Sequence, residues 1–258
     1  MKKFKISVVL LMAFASLSFA DEMSGEQVIS NVYNRPSSND LQANLTMELK
    51  NSQGNTRVRE IKQFVKAIPE GEKKIMYFVA PADVKNTSFM NWSYDDASKS
   101  DDQWIYLPAL KKIKRISSDS KSDSFMGSDF TYDDLGDRAL SDDTHSIIRE
   151  ETLDKKDCYV VESVSKQDNY MYSRTLTWVE KGSWIGIKKE FYDEDDELLK
   201  VLRVLASETL DGVIIITNTT MENVQNGHST TMTLKDILVN KGLDDSLFTE
   251  RMMKRAPR

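Results

Sequence analysis

The stretch DLQANLTMELK, Asp40–Lys50, decides the fold. Leu41, Ala43, Leu45, Met47 and Leu49 alternate with Gln42, Asn44, Thr46, Glu48 and Lys50. A period of two over so many residues predicts a half-buried strand with water on one side. Asn51–Asn55 is a turn and Thr56–Ile68 reads as the returning strand of a hairpin. Lys74–Val79, Ser88–Tyr94 and Gln103–Leu107 continue the series. Further strands are expected at Ser146–Glu151, Cys158–Val164, Arg174–Glu180, Trp184–Tyr192, Leu198–Ala206, Val213–Met221 and Ser229–Val239. Turn-like runs such as Lys181-Gly182-Ser183 and Leu210-Asp211-Gly212 separate them. Strands in series with short turns predict an antiparallel meander. Helical candidates are few. Gly25–Arg35 has an apolar stripe of Val28, Ile29, Val32 and Tyr33 behind a Ser24 cap, and Ser246–Met253 is short. The expected fold is mainly β with few helices (α+β). It is a strongly curved antiparallel sheet of about 10–11 strands with helices on its concave side, in a single domain.

The amino terminus is set apart. Lys2, Lys3 and Lys5 precede an apolar run, Ile6 to Phe14, and Ser18-Phe19-Ala20 ends in small residues. This is the pattern of a signal peptide over residues 1–20, leaving residues 21–258 as the exported chain. No cysteine lies near the cut, so no lipid attachment is expected. The net charge is −6, and removing residues 1–20, with their three lysines and no acid, takes it to −9. So acidic a chain is a poor partner for nucleic acid. The one cysteine, Cys158, excludes an internal disulfide and sits in a strand-like run, where a buried thiol is expected. His145 and His228 have no partner at metal spacing. There is no glycine-rich phosphate loop and no nucleophile elbow. The residues therefore point away from an enzyme and call for no metal and no cofactor.

The least ordinary part of the chain is DDQWIYLPALKKIKRISSDSKSDSFMGSDFTYDDL, residues 101–135. Pro108 ends the strand Gln103–Leu107, and a basic run of Lys111, Lys112, Lys114 and Arg115 follows. Residues 117–124 are nearly all Ser, Asp and Lys. Phe125, Met126, Phe130, Tyr132 and Leu135 then place large apolar groups where charge and Gly127 otherwise say loop. Such groups must be covered, by the chain's own sheet or by a ligand, and a lid would satisfy both. Phe125, Met126 and Phe130 are the candidate lid. Met47, Leu49, Met76, Phe78, Met90, Trp92, Trp104 and Tyr106 are the candidate lining of an apolar slot, because methionine-rich surfaces adapt to ligands of variable shape. Lys112, Lys114 and Arg115 are candidates for contact with an anionic head group, or else simply edge-strand charges.

The two-part pattern Gln103–Ile116 and Ser124–Leu135, QWIYLPALKKIKRI and SFMGSDFTYDDL, resembles the LolA-like outer-membrane lipoprotein-sorting proteins of the LolA/LolB superfamily. The resemblance extends from about Gly25 to Met253. It implies an incomplete β-barrel whose concave apolar face is covered by helices and takes up acyl chains, in a periplasmic carrier whose genes often accompany RND-type exporters. The lipoprotein carrier itself keeps an arginine after a Val-Lys pair to hold its lid. Here Val65-Lys66 is followed by Ala67, so that role does not carry over. The expected function is a monomeric periplasmic carrier of lipid or lipoprotein acyl chains, with an inner-membrane RND-type exporter as partner and only transient membrane contact. The alternative is a periplasmic interaction module that binds an exporter domain or a peptide on the same face.

Overall fold

The computed structural model describes residues 23–96 and 98–255; the signal-peptide reading of residues 1–20 lies outside them. Two meanders make the fold. The first is β1 (Asp40–Lys50), β2 (Thr56–Ile68), β3 (Gly71–Ala80), β4 (Ser88–Tyr94), β5 (Asp102–Leu107) and β6 (Lys112–Arg115). The second is β7 (Asp143–Leu153), β8 (Lys156–Ser165), β9 (Arg174–Glu180), β10 (Gly186–Tyr192), β11 (Leu198–Leu210), β12 (Val213–Asn223) and β13 (His228–Val239). Pairing of β1 with β13 joins them into one 13-stranded antiparallel sheet in the order β6-β5-β4-β3-β2-β1-β13-β12-β11-β10-β9-β8-β7. Its edges, β6 and β7, are not paired to each other. The sheet is open, consistent with an incomplete barrel.

The strand count exceeds the expected 10–11: all twelve segments read as strands pair in the sheet, and the basic run Lys112–Arg115 adds a thirteenth as an edge strand on β5. Its basic side chains stay in water while Ile113 packs inward and the backbone completes a ladder, and edge lysines discourage further pairing.

Register assigns the faces. Residues directly opposite in an antiparallel pair share a face. Met76 stands opposite Phe89, which stands opposite Ile105. Ile75, Met90 and Trp104 form the parallel row on the other side. One face therefore carries Leu45, Met47, Ile61, Met76, Phe78 and Phe89, continued by Met221 and Phe191 in the second meander. The other carries Phe64, Ile75, Tyr77 and Met90.

The helices do not share a face, which corrects the expectation that they cover one side together. α1 (Gly25–Tyr33) has a full capping box at Ser24 and Gln27, and it packs on β7 and β8 through Val28 and Ile29 against Val161 and Val179. The register places Val161, Thr177, Thr175 and Phe191 on one side, so α1 lies on the Met76 side. α2 (Glu250–Met253) is a single turn whose Met253, with Phe248, packs on Tyr77 and Met90 of the other face. Most of what covers the Met76 face is therefore neither helix.

Candidate functional site

That cover is the connection between the two edge strands. Residues 116–142 leave β6 at one edge of the sheet and enter β7 at the other, so they must cross a face. They cross the Met76 face as a strap of short 3-10 turns. Its centre is a compact loop: Ser124 bridges Thr131, the Phe125 N–H donates to Phe130 O at 2.7 Å, and the Ser128 N–H donates to Phe125 O at 2.9 Å. Met126 and Gly127 both take positive φ, 52° and 74°. This reversal turns the two phenylalanines inward. Phe125 is 0% exposed and Phe130 6%. The Phe125 ring sits 5.1 Å from Phe89, 5.6 Å from Tyr132 and 6.0 Å from Phe78, centroid to centroid. Met126 is half-buried against the same cluster.

Polar groups fasten the strap. The Lys200 side chain of β11 is 4% exposed and the Asp134 side chain 6%, with Nζ 2.6 Å from Oδ2. Lysine is almost never so buried unless paired. Asp134 also accepts from the Tyr172 hydroxyl at 3.0 Å and from the Thr131 N–H at 2.7 Å. Lys200 further donates to Asp129 O at 3.2 Å. The Asp129 carboxylate accepts from the Thr230 hydroxyl of β13 at 2.7 Å, and Gln103 Nε2 of β5 donates to Tyr132 O at 2.8 Å. Tyr172 is pushed well above the ordinary phenol range by burial, reinforced by Asp134. A buried pair of this kind contributes little net stability, but losing one member leaves the other charge stranded, at a cost of about 3–5 kcal/mol.

Two adjoining cavities border the strap. One of about 220 Å³ lies against Phe130, Tyr172, Phe191, Leu202 and Met221. Lys189 also lines it, with its pKa lowered by burial. The other, about 670 Å³, opens beside Asp101, Gln103 and the strap's second half. They share Asp133, Gly136, Asp137, Arg138 and Tyr170 as a common wall.

The eight residues read as slot lining divide evenly. Met47, Leu49, Met76 and Phe78 lie on the strapped face, in or against the cluster that holds Phe125. Met90, Trp92, Trp104 and Tyr106 lie on the opposite face, under Phe248 and the carboxy-terminal segment. The reason is phase. Pairing puts Met90 opposite Ile75 rather than Met76, so the β4 and β5 aromatics take the other side. Of the basic residues, Lys112 and Lys114 are exposed, and Arg115 pairs with Asp102. None of the three lines either cavity. No arginine stands at position 67. Lys66 instead donates to Leu243 O on the opposite face, and the strap's buried cation is Lys200. Sequence reasoning missed Asp129, Asp134, Tyr172, Lys200 and Thr230. A lysine inside the apolar run Leu198-Leu199-Lys200-Val201-Leu202 was the available signal.

A family model described only as an uncharacterized protein matches residues 70–255. No curated protein matches the chain. Among solved structures, one named as an outer membrane lipoprotein-sorting protein domain, from Vibrio parahaemolyticus, is 32% identical, with TM-score 0.84 over 90% of this chain and 98% of that one. A DUF1329 family protein from Desulfovibrio piger ATCC 29098 is 28% identical, with TM-score 0.84 over 89% and 97%. A LolA superfamily protein from Nitrosomonas europaea, 20% identical with TM-score 0.69 over 88% and 98%, shares the fold. With the sheet, the strap and the SFMGSDFTYDDL segment in place, the chain belongs to the LolA-like outer-membrane lipoprotein-sorting proteins.

Proposed function

We propose that the protein is a periplasmic carrier, not an enzyme, that takes an acyl chain of a lipid or lipoprotein between the sheet and the strap. It would pass that chain between membranes or to or from an RND-type exporter. One observation carries this reading: the apolar plug of Phe125 and Phe130 sits on a segment whose attachment is largely polar. An acyl chain and the plug compete for the surface formed by Met47, Leu49, Met76 and Phe78. At about 0.8 kcal/mol per methylene, a dozen buried methylenes are worth roughly 10 kcal/mol, enough to displace two phenyl rings and still bind. Among the described residues no helix is long and apolar enough to cross a membrane. The test is organic-solvent extraction and native mass spectrometry of protein isolated from its own periplasm. Co-purified lipid is the expected result, and protein that binds no fluorescent fatty-acyl probe at any strap sequence would sink the reading.

A further inference from the structure

The larger cavity is built for something other than a hydrocarbon tail. Gln103 is 1% exposed and lines it. Its Nε2 donates to Tyr132 O at 2.8 Å, and this fixes the amide, because only the nitrogen end can donate to a carbonyl. Gln103 Oε1 is then a buried acceptor without a partner among the described residues. Its cross-strand neighbour Asn91, 0% exposed, leaves both side-chain polar atoms unmet as well. Orphaned buried amides are costly and uncommon, and a small opening of the wall at Gln103 would let an N–H or O–H donor in the cavity reach this acceptor.

The wall says which donor. It holds six carboxylic side chains, among them Asp101, Asp133 and Asp137, and none of the six is in an ion pair among the described residues. Four cationic side chains share the wall, and one of these, Arg138, is already held by Asp143 outside it. The balance is negative. Cations already rest over both aromatic rings of the wall: Arg138 is 4.0 Å from the centre of Tyr170 and Lys99 5.4 Å from that of Tyr94. Asp101 faces Lys121, Asp133 and Asp137 from the strap and Lys74 from β3, and burial pushes its carboxyl up to about 6. Gly136 lets the strap approach it, since a Cβ there would meet Asp101 Oδ2. The cavity also adjoins the smaller one against Phe130, where a tail would enter.

We propose that this cavity is a head-group site for a primary ammonium carried by an amphiphile, with Gln103 Oε1 and the Asp101 carboxylate as its acceptors. The inference rests on the carrier reading, and its test separates the two. Displacement of a fluorescent fatty-acyl probe from the full exported chain is measured at pH 7 with dodecylamine, dodecyltrimethylammonium and dodecyl sulfate, below their micellar concentrations. Dodecylamine is expected to bind about tenfold tighter than either, because trimethylammonium has the charge but no N–H to give Gln103. Gln103→Leu should reduce the preference over trimethylammonium to about threefold or less, and Asp101→Asn the preference over sulfate. Asp101→Asn keeps an acceptor for the Asp137 N–H and removes a buried charge, so it folds at least as well, which a circular-dichroism melt verifies. Equal affinities for all three in the unmodified protein overturn the head-group site and leave the carrier reading standing. Equal affinity for the two cations overturns the role of Gln103. Failure of all three to displace a bound probe overturns tail and head together.

Discussion

Phe125 and Phe248 are both 0% exposed, on opposite faces of the same few strands, and they are held there by different means. Phe248 belongs to a cover fastened through its backbone carbonyls, and its one ion pair, Lys66 with Asp245, is largely exposed. The Tyr77 hydroxyl donates to Met252 O at 3.2 Å, the Ser88 hydroxyl to Met253 O at 2.8 Å, and Thr249 caps the last helical turn. Phe125 belongs to a cover whose main tie is a buried ion pair, with two adjoining cavities along it and two consecutive residues at positive φ. Equal burial therefore does not mean equal permanence. The carboxy-terminal cover is ordinary core closed by a helix turn. The strap combines an apolar plug with contacts that are strong only when complete, the combination expected of a segment with two states.

The largest effect expected is at the ion pair. Lys200→Met strands Asp134 in the interior and should cost about 3–5 kcal/mol, a drop of roughly 10 °C in melting temperature for a chain of this size. Adding Asp134→Leu should recover only part of that loss, since the apolar pair has no charge to desolvate but leaves the Tyr172 hydroxyl and the Thr131 N–H without their acceptor. A loss below about 1 kcal/mol from Lys200→Met would mean the pair is solvated and the contrast between covers is lost.

The next test exchanges the two plugs. Phe248→Ala should cost about 3–5 kcal/mol and leave acyl-probe affinity per folded molecule unchanged. Phe125→Ala with Phe130→Ala should change that affinity far more than the melting temperature. If the strap rings behave like Phe248, the strap is permanent core.

The strands were legible in the sequence because half-buried strands announce themselves by alternation. β1, β2, β4 and β9 have the expected ends, and most others differ by a few residues. Trp184 was expected to begin a strand but takes φ 56° in the turn before β10, where propensity yields to turn geometry. Phe125, Met126 and Phe130 were legible as apolar groups in a polar loop that need cover, and all three pack against the sheet. Which of the candidate lining residues share a face was not legible. Alternation gives two faces per strand but not which face of one strand continues onto the next. That depends on register, which puts Met90, Trp92, Trp104 and Tyr106 on the face opposite Met47, Leu49, Met76 and Phe78. The polar ties were illegible because Asp134 and Lys200 lie 66 residues apart and each looks like surface by type.

A smaller effect is expected at Asp101, which belongs to the strap side alone. Its carboxyl takes up a proton at about 6 in the folded chain, against ~3.9 when unfolded. Between these values the folded state binds more protons, so this group's contribution to stability falls as pH rises through the window. Asp101→Asn should therefore stabilise by about 1 kcal/mol at pH 7, after discounting for partial exposure, and by nothing at pH 4. Melting temperatures of both proteins at the two pH values check it. A gain that persists at pH 4 would mean the carboxyl is not the cause.

The smallest effect separates the covers most cleanly, because it applies the same perturbation to each. Gly127 in the strap has φ +74° and Gly242, on the way from β13 to the carboxy-terminal cover, has φ +81°. A Cβ at either position would meet nothing within 4 Å, so alanine adds backbone strain and no clash. That strain is about 1 kcal/mol for a non-glycine residue held in the left-handed region. Both substitutions should lower the melting temperature by a few degrees at most. They part company in binding. If cargo displaces the strap, strain in the closed form of Gly127→Ala is relieved on uptake, and affinity for the acyl probe should rise about fivefold. Gly242→Ala strains a segment that does not move, so its probe affinity should match that of the unmodified protein. Equal probe affinities in the two variants would show that the strap is closed in the loaded state as well, and cargo would then have to enter through the adjoining cavities.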